Sequence, residues 1–343
     1  MKLKVNMPEA PLSKIMDISL TRSCNYDCSY CNQRQDLDKP MFDMSESKRK
    51  IFSNKRRTGK EWIDGLNAFP YKADFDKLLF SGGEPSLHSD FFAIVSQVTG
   101  WRCKVIVTNL SFDVDKLISA CSHERTRVIV QPSFHFEFAE FEEFTGKMDK
   151  LRAAGLLSNF IPASIVHLPD REDGQMFRDK FRARGYNVSL YRFEGYYKGK
   201  FSYAPLEGFG GVKETKEVLY SSCVQPVKPN GDIVYCTTDT YSENYISYGN
   251  ICEQKYVEIP NEIKVQNYGH RHISAASWTR ARNAATGERI WQGKNFRHRT
   301  PGNQLRTFLE IKNYSWLATA KHFVNSMQNK VKKPDAVNQT NLD

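Results

Sequence analysis

The chain lacks any apolar run of the ~18 residues that a membrane-spanning helix needs. No membrane contact is expected of its 343 residues. Residues 1–6 carry two lysines and no apolar centre, so no signal peptide is expected. Evenly spread cysteines are also missing. The eight cysteines are clustered, which argues against a disulfide framework and for metal binding in a reducing compartment. The cytoplasm is the expected location. Two local absences say more. No Cys or His occurs between Cys31 and His88, and no acid occurs between Lys48 and Lys60. The last quarter is poor in acids: residues 264–343 hold 14 Lys and Arg against 4 Asp and Glu, which is the whole +10 of the chain. Such asymmetry predicts an anionic partner for that segment.

The residues around the first of these absences are Cys24, Cys28 and Cys31, spaced C-x3-C-x2-C. They follow an apolar run, 15–20, that reads as a strand, so they lie on the loop at its exit. Asn25, Asp27 and Ser29 between them let a short loop curl around one object. Three thiolates converging on one centre predict a metal site. A [4Fe-4S] cluster normally takes four thiolates, and tetrahedral zinc takes four ligands in all. Here the fourth is missing locally, which leaves a position open for chemistry. A structural zinc and three unconnected core cysteines are the alternatives.

About 50 residues further on, a short strand at 77–80 runs into Ser81-Gly82-Gly83-Glu84-Pro85. Its two glycines permit close backbone approach, and Pro85 stiffens the turn. Taken together, the cysteine spacing, Tyr30 just before the third thiol, and G-G-E-P resemble the signature of the radical S-adenosylmethionine (SAM) superfamily. The resemblance implies a [4Fe-4S] cluster held by Cys24, Cys28 and Cys31, with SAM on the open iron. It implies reductive cleavage of SAM to a 5′-deoxyadenosyl radical that abstracts a substrate hydrogen. Tyr30, Gly82, Gly83 and Glu84 are the implied cofactor contacts, and an electron donor such as a flavodoxin or ferredoxin is the implied partner.

Further strands are expected at 103–109, 127–135, 159–166 and 187–193, with helices at 61–66, 91–98 and 138–151, the last stopped by Gly155. Strand–helix alternation predicts a parallel sheet covered by helices. The expected fold class is α/β, a partial (β/α)6 TIM-like barrel, which is also the family's usual core. The resemblance implies that Thr108, Asn109, Ser133 and His135 lie near SAM at strand ends. A strand-ending turn at 108–109 and a structural His135 are the plain alternatives. The expected domains are 1–215 for the barrel, 216–262 for a cysteine hairpin, and 263–343 for a basic, aromatic-containing helical segment.

The hairpin runs from Cys223 to Cys236 about an Asn230-Gly231 turn, and Cys252 follows. This is similar to the start of a SPASM or twitch extension, which implies a second, auxiliary iron–sulfur cluster on Cys223, Cys236 and Cys252. The interval is short and the later C-x2-C group is absent, so relic ligands in a metal-free cap remain the alternative. Trp278, Trp291 and Trp316 lie among Arg280, Arg282, Arg289, Lys294, Arg297, Arg299 and Arg306. Basic groups neutralise phosphates and aromatic faces stack on unpaired bases, so a nucleic acid is the expected partner. Phage enzymes that hypermodify thymidine in DNA are the resemblance this suggests, with base modification or isomerisation as the reaction. A peptide or small-metabolite substrate, with the tail as a cap, is the alternative. A cluster with only a structural or sensing role is the non-enzymatic one.

Overall fold

The computed structural model describes residues 14–31, 57–122, 127–158, 161–168, 171–192, 195–197, 200–202, 217–235, 245–266, 279–287 and 289–292. Strand β1 (Lys14–Thr21) puts Met16, Ile18 and Leu20, all fully buried, on one face. Strands β2 (Phe75–Gly82), β3 (Cys103–Thr108), β4 (Arg127–Phe134), β5 (Ala163–His167) and β6 (Val188–Arg192) follow. Between them run helices α1 (Gly59–Ala68), α2 (Phe91–Gln97), α3 (Val114–Cys121), α4 (Phe141–Ala153) and α5 (Asp173–Ala183). All six strands pair in parallel in chain order. The expected α/β class is therefore observed, as an open, partial TIM-like barrel.

The core lies between sheet and helices. Met16, Leu78, Phe80, Ile106, Val130 and Phe134 pack in one cluster with Trp62, Leu66, Phe91, Ile94, Leu117, Met148 and Phe181 from the helices. Helix α1 starts where a capping box allows it: Thr58 N–H donates to Glu61 Oε2 at 2.7 Å, and Glu61 N–H donates to Thr58 Oγ1 at 3.3 Å. Gly155, at φ 71°, ends the turn after α4 as expected. Helices α3 and α5 have no counterpart in the sequence reading. Helix α5 buries only Gly174 and Phe181, so its apolar periodicity is too thin to see.

The C-terminal half departs from expectation in two ways. Residues 224–227 do form one arm of a hairpin, but that arm is strand β10 (Val224–Val227) and it pairs in parallel with β1. The order of the main sheet is thus β10-β1-β2-β3-β4-β5-β6, and the segment expected to be a separate extension adds a seventh strand to the barrel. Pro226 is tolerated there because β10 is an edge strand. The turn is also displaced by one residue. Gly231 N–H donates to Lys228 C=O at 2.8 Å, so Pro229 and Asn230 are central and Gly231 follows at φ 91°.

The second departure concerns the segment from 263 onward, expected to be helical. Where it is described it is strand: β13 (Ile263–Gln266), β14 (Thr279–Asn283) and β15 (Arg289–Gln292). They form an antiparallel sheet with β9 (Glu217–Ser222), in the order β13-β9-β14-β15. The expected boundary at 262/263 is bridged by β9 pairing with both β13 and β14. The helix expected at 305–327 lies outside the described residues.

Two short pairs complete the described strands, β7 (Gly195–Tyr197) with β8 (Lys200–Ser202) and β11 (Gly249–Asn250) with β12 (Lys255–Tyr256), and residues 249–256 are fastened to α1. A Cβ on Gly65 would sit 2.1 Å from the Ile251 carbonyl oxygen, and Tyr256 Oη donates to Gly65 C=O at 3.0 Å. Replacing a helical glycine by alanine normally stabilises by ~1 kcal/mol. Here the clash should reverse the sign, so Gly65→Ala should destabilise by roughly 1–3 kcal/mol. Chemical denaturation reads this directly, and a midpoint at or above that of the native chain would refute the packing.

Candidate metal and cofactor site

All six core strands deliver their C-terminal ends to one rim, where parallel α/β folds collect their ligands. The chain leaving β1 becomes the cysteine loop. It is held by the chain leaving β2: Gly83 N–H donates to Thr21 C=O and Glu84 N–H donates to Ser23 C=O, both at 2.8 Å. The approach is close enough to require glycine. A Cβ on Gly83 would lie 2.1 Å from Ser23 O, and one on Gly82 would lie 2.3 Å from Thr21 O, with Gly82 already at φ 121°. These N–H groups are spent on the loop, so a ligand ammonium here would be met by carbonyl oxygens.

Glu84 does not face outward. It is 1% exposed, and its carboxylate accepts from four donors. Ser86 N–H (3.1 Å), Ser86 Oγ (2.7 Å) and Thr108 Oγ1 (2.8 Å) reach Oε1, and Asn109 N–H (2.8 Å) reaches Oε2. Burial raises its pKa above the usual carboxylate range, against the pull of these bonds. Glu84 therefore ties the end of β3 to the end of β2. Thr108 belongs to the same brace. Asn109 carries it on to the loop, its Nδ2 donating to Asn25 Oδ1 at 3.0 Å and lying 3.9 Å from Cys24 Sγ.

The other side of the loop rests on the residues leaving β4. His135 Nδ1 lies 3.4 Å from both Cys28 Sγ and the Tyr30 hydroxyl. The Tyr30 ring stacks on His135 with centroids 5.9 Å apart, and Tyr26 stacks on Phe138 at 5.3 Å. Tyr30 is buried beneath the loop. Burial pushes the His135 pKa down to about 4, so the ring is neutral at physiological pH. Glu137 holds the loop backbone, accepting from Ser29 N–H at 2.8 Å and Ser29 Oγ at 2.6 Å, and Arg171 reaches Glu137 at 3.4 Å. Glu137 and Arg171 were missed in the sequence, and Asn25 was read only as a turn residue of the loop. The one available signal was the alternation of aromatic and polar residues over 134–138.

Cys24 is exposed, Cys31 half-buried and Cys28 buried. Cys31 N–H donates to Cys28 C=O at 3.2 Å, closing the loop. Among the described residues no three His, Cys, Asp or Glu side chains gather as closely as a single metal ion would need. A cubane cluster makes no such demand, because each thiolate binds its own corner iron. Burial, then the neighbouring Cys31 and Cys24, push the Cys28 pKa up to about 12. Such a thiol ionises readily only beside a strong positive charge, and iron supplies one. The donor set and the glycine-clamped loop fit a [4Fe-4S] cluster with an open site for SAM.

Other expected site residues lie elsewhere. Ser133 sits on the inner face of β4, its hydroxyl 2.8 Å from that of Ser164. Cys223 and Cys252 do not come together. Cys223 precedes β10 and passes its carbonyl to Ile15 N–H at 2.8 Å. Cys252 packs against Gly231 at the turn, the far end of a four-residue hairpin arm ~13 Å long. Burial raises the Cys252 pKa. Cys236 lies outside the described residues. In the basic stretch 48–60, Arg57 is structural: it donates to Asn230 C=O at 2.8 Å and pairs with Glu61 at 3.0 Å and Glu253 at 2.5 Å.

This is a thiolate cluster site at the C-terminal rim of a parallel barrel. The family model of the radical SAM superfamily matches residues 18–188, from within β1 to the start of β6, and the chain belongs to that superfamily. It is a radical SAM enzyme, with a [4Fe-4S] cluster and SAM as its cofactors. Among solved structures, coproporphyrinogen III oxidase (HemN) from Escherichia coli, described as a radical SAM enzyme, is 13% identical with a TM-score of 0.34. The likeness covers 56% of this chain and 46% of that one. No curated protein matches the sequence.

Two outcomes are expected. Gly83→Ala should push the loop off its clamp, and iron retained after anaerobic reconstitution should fall toward that of Cys24→Ala. Gly146→Ala, with nothing within 4 Å of the new Cβ, should bind iron normally; equal iron in both variants would refute the clamp. In iron-free protein at pH 8, iodoacetamide should label exposed Cys24 well before Cys28, since the reactive thiolate of Cys28 forms only near pH 12. Peptide mass spectrometry resolves the order, and equal rates would contradict it.

Proposed function

We propose that this radical SAM enzyme modifies or isomerises a nucleic-acid base, of the kind found hypermodified in phage DNA. Cys24, Cys28 and Cys31 would hold the [4Fe-4S] cluster, which with SAM would supply the one-electron chemistry that removes a hydrogen atom from the substrate. The chain's own residues then have defined tasks. Gly82 and Gly83 fix the loop, Glu84 and Asn109 brace it, and Tyr30 and His135 close it from below. A flavodoxin or ferredoxin would deliver the electron, and the cytoplasm suits such thiol ligands.

The observation that carries the nucleic-acid reading is the charge distribution, with all of the +10 in residues 264–343 beside three tryptophans. A base in a duplex would have to leave the stack to reach the rim, costing a few kcal/mol that aromatic stacking offsets.

A second reading, modification of a peptide or small metabolite, is favoured by one contact. Glu262 takes Arg282 at 2.8 Å and Arg280 at 3.5 Å, so two of the basic residues serve the β13-β9-β14-β15 sheet. Phosphate contacts would then fall to exposed Arg289 and to four residues outside the described ones, Lys294, Arg297, Arg299 and Arg306.

The test is DNA and RNA binding by the anaerobically reconstituted full chain across a salt series. Each duplex phosphate contacted adds about 0.9 to the slope of log affinity on log salt. Changing those four residues to Gln should lower that slope by up to ~3.6. Absence of any salt-sensitive binding by the native chain would end the nucleic-acid reading and leave the second.

A further inference from the structure

The faces of the strands turned away from the helices form the inside of the barrel, and their chemistry changes along the strands. Cys103, Val105 and Ile129 are buried there with Leu79 and Ile161 beside them, as an apolar plug. Around that plug the inner face is polar. Since Met16, Ile18 and Leu20 face the helices, Asp17, Ser19 and Thr21 point inward from β1. Ser81 joins them from β2, as do Gln131 and Ser133 from β4, Ser164 from β5 and Tyr191 from β6. A closed barrel would fill this space with branched apolar side chains. Tyr191, on the inner face of the edge strand β6, is 49% exposed, so the barrel is open to solvent at that edge.

Two groups on this inner face are set for a ligand. Ser19 is 6% exposed, and its hydroxyl has no hydrogen-bond partner. Asp17 accepts a short bond from the Ser81 hydroxyl at Oδ1, and its Oδ2 has no hydrogen-bond partner among the described residues. Ser19 Oγ lies 3.0 Å from where a Gly82 Cβ would be, so the pair begins directly below the glycine clamp. Asp17 is four residues below Thr21, ~13 Å down the strand, which separates it from the cofactor end. Desolvation raises its pKa to about 6, with Ser81 and Arg22 opposing. A half-buried, poorly hydrated anion of this kind gains most from a ligand that brings N–H donors.

We propose that Asp17 and Ser19 form a substrate-recognition site inside the barrel that binds an amino or ammonium group of the substrate. A substrate carboxylate would be repelled, and a keto oxygen would leave Oδ2 unpaired. Ser81 positions the carboxyl. The amine is thereby held at the wall below the clamp, while the rest of the substrate extends toward the rim. The site deepens the radical SAM reading and rests on it, but it does not depend on whether the amine belongs to a base.

Calorimetric titration of the full-length reconstituted protein with SAM tests this using matched probes. Glycinamide and glycolamide differ in ammonium against hydroxyl; 2′-deoxycytidine and 2′-deoxyuridine differ in amino against keto. The native chain should favour glycinamide by about tenfold, the scale of one hydrogen bond to a charged group, and Asp17→Asn should erase the preference. Ser19→Ala removes a hydroxyl with no partner, so it should leave iron content and melting unchanged while reducing the same preference several-fold. A native chain without amine preference, or a preference that survives Asp17→Asn, overturns the proposal. If glycinamide obeys these rules and neither nucleoside binds, the amine site stands and the nucleic-acid reading falls. If deoxycytidine binds with no dependence on Asp17, the reverse holds.

Discussion

Two backbone hydrogen bonds, from Gly83 and Glu84 to Thr21 and Ser23, carry the rest of the site. They join the exit of β2 to the exit of β1 at a separation no side chain allows. Everything at the rim follows from that contact. The cysteine loop starts from a fixed point, so Cys24 meets Asn109 from β3 and Cys28 meets His135 from β4. The glycines here act by having no Cβ. Their role is to admit another backbone, and the ligand benefits indirectly from a loop held in one place.

The same geometry reassigns residues that would be read as ligand contacts. Glu84 has four hydrogen-bond donors and almost no exposed surface. A carboxylate so fully satisfied has little left for a cofactor, and its value lies in joining two strand ends. Tyr30 is likewise turned under the loop. The rim is built in two layers: thiols toward the ligand, and beneath them a bonded layer of Glu84, Thr108, Asn109, Tyr30, His135 and Glu137 that holds the thiols still.

The sequence revealed the elements whose signals are local. Strands β1 to β6 are short apolar runs ended by polar residues, and the C-x3-C-x2-C and G-G-E-P motifs are contiguous. It concealed what depends on distant pairing. Strand β10 reads as a hairpin arm because Gln225 and Pro226 interrupt it, and only its parallel register with β1 makes it barrel. Residues 279–292 read as part of a charged helical tail, because Arg280 and Arg282 look solvated until Glu262 is placed between them. Asp17 was invisible for a related reason. One acid inside an apolar strand reads as noise until the alternation of Met16, Ile18 and Leu20 shows which way it points.

Charge in this chain is therefore divided by position. Arg57, Arg280 and Arg282 are used for internal pairing, and they fasten the C-terminal segments to the barrel and to one another. Among the described residues, Asp17 is an acid inside the barrel next to a hydroxyl, Ser19 Oγ, that has no hydrogen-bond partner. A reaction driven by a radical needs little acid–base help but strict control of which hydrogen is presented. A single carboxyl deep in the wall suits that need. It can fix one end of a substrate without approaching the reactive centre, and the glycine clamp above it fixes the other reference point, so that the distance between them is set by the strand itself.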